Sequence, residues 1–74
     1  MFKHKIELVT VKDIYEFVAI ASSLHGEIRL VDGGGFCVNG KSLLGATATL
    51  EWNELYCISE NDIYQKIQKF CTEA

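Results

Sequence analysis

Val38-Asn39-Gly40-Lys41-Ser42-Leu43-Leu44-Gly45, VNGKSLLG, admits three readings: a nucleotide site, a serine that becomes modified, or the start of a helix. With Gly35 five positions before Gly40, the segment meets the G-x-x-x-x-G-K-S spacing of a phosphate-binding loop. A phosphate cradle needs a loop whose amides converge on the anion. Between these glycines stands Phe36-Cys37-Val38, which reads as a strand instead. The segment is therefore expected to be the end of a strand followed by a brief helix. Ser42 caps that helix, and Leu43, Leu44, Ala46 and Thr47 lie along it.

Working outward from this segment gives the order of elements. Residues 2–9 alternate, with Phe2, His4, Ile6 and Leu8 on one face and Lys3, Lys5, Glu7 and Val9 on the other, the period of a half-buried strand. Thr10 and Asp13 have capping-box spacing. They open a helix whose Ile14, Phe17, Val18, Ala21 and Leu24 share a face, with Gly26 as its stop. Residues 27–31 form a second strand, with Ile28 and Leu30 inward. Asp32-Gly33-Gly34-Gly35 reverses the chain into the strand at 36–38. Residues 55–59 make a fourth strand. Ser59 and Asp62 repeat the capping-box spacing ahead of Ile63, Ile67, Phe70 and Cys71. The order βαββαβα, with alternating strands, predicts an α+β open-faced sandwich: a four-stranded antiparallel sheet with three helices on one face.

Seventy-four residues make one domain, 1–74, and a chain of this size commits nearly all its apolar side chains to a single core. Ten acidic residues against seven basic ones, the latter scattered, argue against a nucleic-acid partner. No apolar run approaches the ~20 residues that span a bilayer, which points to a cytoplasmic protein with no membrane insertion. Cys37, Cys57 and Cys71 have no metal-ligand or redox spacing and read as small hydrophobes, so neither a metal nor a cofactor is expected. His4 and His25 stand apart from any acid or thiol in sequence and read as solvated or structural. Trp52, between acids in Glu51-Trp52-Asn53-Glu54, is placed over the end of the core.

The element order, the Phe17-Val18 pair and the segment VNGKSLLGATATL together resemble HPr, the phosphocarrier protein of the bacterial phosphoenolpyruvate-dependent sugar phosphotransferase system. The resemblance runs over essentially the whole chain. It implies a non-enzymatic protein whose partners are phosphotransferase-system or catabolite-control proteins. In that family a His at the start of the first helix, within His-x-Arg-Pro-Ala, carries the phosphoryl group. Alignment on Phe17-Val18 puts Thr10 at the phosphoacceptor position, Lys12 at the Arg position and Asp13 at the Pro position. A threonine phosphoester is too stable to pass its group onward, so the resemblance implies a variant without the carrier site. Ser42 matches the family's regulatory phosphorylation serine, and Lys12, Tyr15, Leu43, Leu44 and Thr47 match its partner-docking surface. A phosphocarrier with an atypical acceptor, or an unrelated binding or structural use of the fold, are the alternatives.

Overall fold

The computed structural model describes residues 1–72; Glu73 and Ala74 of the expected 1–74 domain lie outside the described residues. Four strands, β1 (Phe2–Lys5), β2 (Ile28–Val31), β3 (Cys37–Asn39) and β4 (Tyr56–Ser59), alternate with three helices, α1 (Val11–Ser22), α2 (Leu43–Ala48) and α3 (Tyr64–Ile67). Single 3-10 turns, Thr49–Glu51 and Gln68–Phe70, extend α2 and α3. The sheet is wholly antiparallel in the order β1-β4-β2-β3, as the α+β open-faced sandwich requires.

Register fixes which side chains face the helices. Residues directly opposite one another share a face of the sheet, so His4, Cys57, Leu30 and Val38 form one inward row. Phe2, Ser59 and Ile28 form the next. Ile28, Leu30 and Cys57 are fully buried under Ile14, Phe17 and Ala21 of α1, Ala46 of α2 and Ile67 of α3. Phe17 meets Phe70 edge to face, with ring centroids 5.7 Å apart. A burial of this kind contributes about 1.5–3 kcal/mol per large apolar side chain, which is why the 3.6-residue pattern of α1 dictates its packing face.

α1 is set locally. Thr10 Oγ1 accepts from the Asp13 amide at 3.2 Å, and Asp13 Oδ2 accepts in return from the amides of Thr10 and Val9. The helix ends at Ser22, earlier than Gly26 suggests. Ser23 Oγ donates to the Ile20 carbonyl, and Gly26, at φ 86°, turns the chain into β2. Leu24 thus lies beyond the helix, although it still packs on the core.

Four other expectations need correction. The first strand stops at Lys5 rather than Val9, because beyond the Ile6–Leu55 bond the chain leaves β4: the Glu7 amide donates to the Phe70 carbonyl and the Val9 amide to Asp13 Oδ2. Ile6 and Leu8 are nevertheless buried, as their alternation requires. The third strand is Cys37–Asn39, so Asn39 of the opening segment is inside it and Phe36 is not. Ser59 does not cap α3: it is buried in β4 with its hydroxyl donating to the Asn61 carbonyl, and Asp62 accepts from the Tyr64 amide instead. The third helix is correspondingly short and closes in a 3-10 turn before Cys71.

The cysteines divide by environment. Cys57 is buried, and its thiol is pushed up to about 12 by burial, with the nearby Cys71 adding to the shift. Cys37 is exposed, because β3 is an edge strand and Cys37 pairs with Val31, on the side away from the helices. It is not the packed hydrophobe that its apolar neighbours suggest. A thiol-disulfide reagent at neutral pH is therefore expected to label Cys37 quickly and Cys57 only once the chain unfolds. Rapid labelling of Cys57 in the native protein would contradict the placement of β4 in the centre of the sheet.

A candidate docking surface along the first two helices

The segment VNGKSLLG is held together by its own backbone. Asn39 Oδ1 accepts from the Lys41 amide at 2.8 Å, and the Asn39 carbonyl accepts from the Ser42 amide at 3.1 Å. The Gly40 amide donates across to the Ile28 carbonyl at 2.7 Å, and the Gly45 amide to Ser42 Oγ at 3.2 Å. The amides of Gly40, Lys41, Ser42 and Gly45 are all spent inside the protein, and Cys37–Asn39 is paired strand. These four amides are therefore not turned toward a phosphate. Lys41 is likewise engaged: its ammonium donates to the Leu24 carbonyl at 2.7 Å, just beyond the end of α1. The glycine, lysine and serine each have a structural task, respectively a close approach to β2, a tie between α1 and α2, and the cap of α2.

Ser42 takes the extended N-cap conformation, with φ −102° and ψ 121°, and its carbonyl accepts from the Ala46 amide. Ser42→Ala is expected to lose about 0.5–2 kcal/mol of stability, measured by urea unfolding. An unchanged unfolding midpoint would mean that the α2 start is held by other contacts.

Thr10 and its surroundings are organised for capping. The Asp13 carboxylate closes the N-terminus of α1, and the Val9 and Thr10 amides hold it below the usual carboxylate range. A phosphoryl group arriving at this helix end would meet a fixed negative charge and occupied amides. The sign of the pH effect follows. A depressed folded-state pKa gives stability that is full above the unfolded value of roughly 4 and fades as pH falls through the folded value. Helix α1 is therefore expected to loosen on acidification below about pH 4, and Asp13→Asn to flatten that part of the unfolding-versus-pH curve.

The helices set the predicted docking residues along a strip. On α1, Lys12, Tyr15, Ala19 and Ser22 are exposed at helical spacings of three and four, one continuous face. On α2, Leu43, Leu44, Thr47 and Ala48 are exposed, with Thr47 Oγ1 donating to the Leu43 carbonyl. α1 and α2 are in contact, so the two exposed faces belong to neighbouring helices. Tyr15 is 57 % exposed and Leu44 86 %, well above what core-facing helices leave to solvent. None of these residues is acidic, although ten of the chain's residues are. The acids of α1 are turned to structure, Asp13 in the capping box and Glu16 in an ion pair with Lys69.

The strip has two ends. Lys41 bonding to Leu24 puts the start of α2 beside the end of α1. Thr10 and Lys12 sit at the other end of a 12-residue helix, which spans about 18 Å. The structure therefore separates Ser42 from Thr10 rather than gathering both into one site.

The remaining candidate residues lie away from the strip. His4 is half-buried, its ring 5.2 Å from that of Tyr64, and so is more enclosed than its lysine neighbours suggest. His25 is exposed, and its carbonyl accepts from Asn61 Nδ2. Trp52 packs on the core as expected and also stacks with the exposed Phe36 at 6.3 Å, a contact that sequence spacing does not reveal. A groove of about 590 Å³ runs between residues 5–9 and 49–55, and none of Thr10, Lys12, Tyr15 or Ser42 lines it. Among the described residues no group of three His, Cys, Asp or Glu side chains gathers where a metal ion could be held. Nor, among them, is any helix long and apolar enough to cross a membrane.

Comparison of the chain with protein-family models, with curated proteins and with solved structures found no match in any of the three.

Proposed function

We propose that this chain is a non-enzymatic, HPr-like docking protein that has lost the carrier histidine and binds protein partners through the α1–α2 strip. The observation that carries the reading is that strip: Tyr15, Leu43 and Leu44, large apolar side chains on two helices in contact, left in water. Exposed large apolar groups set together on a small domain mark interaction surfaces, and Tyr15 is of the residue type that anchors such contacts. By the resemblance of VNGKSLLG and of the element order to HPr, the partners are phosphotransferase-system or catabolite-control proteins of the bacterial cytoplasm. Ser42, at the edge of the strip, is on this reading a regulatory phosphorylation position. Phosphate there adds charge beside Leu43 and Leu44 without removing the cap's place at the helix start.

The capping box at Thr10 disfavours the reading as a carrier with an atypical acceptor. The hydroxyl is committed to the Asp13 amide, and Asp13 supplies a neighbouring negative charge.

Binding of purified enzyme I and of a catabolite-control protein to the immobilised chain tests the proposal. Leu44→Asp is expected to weaken binding by about 30-fold, the loss of one anchor worth roughly 2 kcal/mol, with unfolding unchanged because Leu44 is outside the core. Ser42→Asp is expected to keep the cap and shift the affinity. Binding to neither protein, or binding indifferent to Leu44→Asp, would overturn the docking assignment.

A further inference from the structure

We draw no further inference here: the strongest candidate, the outer face of the sheet where Lys3, Lys5 and Arg29 surround Val31, Tyr56 and Ile58, has Arg29 already paired with Glu27 and Tyr56 with Glu54, and nothing in the structure shows what covers it.

Discussion

Phe17→Ala is expected to destabilise the protein by about 3–5 kcal/mol, the range for removing a fully buried aromatic side chain. Phe17 has no exposed surface, faces Phe70 edge to face, and belongs to the cluster that includes Ile14, Leu30, Ala46 and Ile67. Globular chains are held by about 0.05–0.15 kcal/mol per residue, so 74 residues give roughly 4–11 kcal/mol in all. The substitution therefore removes between about a quarter and the whole of the margin. Urea unfolding followed by Trp52 fluorescence measures it. A loss below about 1 kcal/mol, the size of an ordinary surface change, would mean that α1 does not bury this face.

Gly40→Ala is the second large effect, and it separates the structural reading of VNGKSLLG from the nucleotide one. A Cβ on Gly40 would lie 2.7 Å from Ile28 Cγ2 and 3.1 Å from the Ile28 carbonyl oxygen. Ile28 is buried in a central strand and cannot give way without moving β2. Overpacking of this kind costs about 1–3 kcal/mol, here compounded by disturbance of the Gly40–Ile28 hydrogen bond. In a phosphate loop the same change would spare stability and remove ligand binding. A stable Gly40→Ala variant would therefore revive the loop reading, while a destabilised one agrees with glycine being present because β2 and the chain after β3 approach so closely.

What could be read from the sequence was local or periodic. The Thr10–Asp13 box needs only residues three apart, and the Ile14–Phe17–Ala21 stripe is a repeat along one helix, so both carry their own signal. The Asp32–Gly35 reversal announces itself by composition; it is closed by Asp32 Oδ1 accepting from the amides of Gly34 and Phe36. The Ser42 cap was legible for the same reason. The Ser59 box shared that spacing and failed, because the strand register takes Ser59 into the core before a helix can claim it. Contacts between distant segments left no trace in spacing. Lys41 reaching Leu24 and Gly40 fitting against Ile28 depend on how β3 returns beside β2. Those two contacts explain the lysine and glycine that otherwise imitate a nucleotide loop.

For the candidate site, sequence supplied the residues and the structure supplied their arrangement. Tyr15, Leu43, Leu44 and Thr47 are exposed on adjoining helices, whereas Thr10 and Ser42 stand at opposite ends of α1. On the proposed reading, a modification at Ser42 would act at the α2 start, about the length of α1 away from the Thr10 capping box.

Incubation with phosphoenolpyruvate and enzyme I, followed by intact-mass measurement before and after acid treatment, tests the proposed absence of a carrier site most directly. The expected result is an unchanged mass, because the helix end where the resemblance to HPr places an acceptor carries Thr10 and the Asp13 carboxylate. An acid-labile phosphoryl group that passes to a sugar-specific acceptor would contradict it and make the chain a working phosphocarrier.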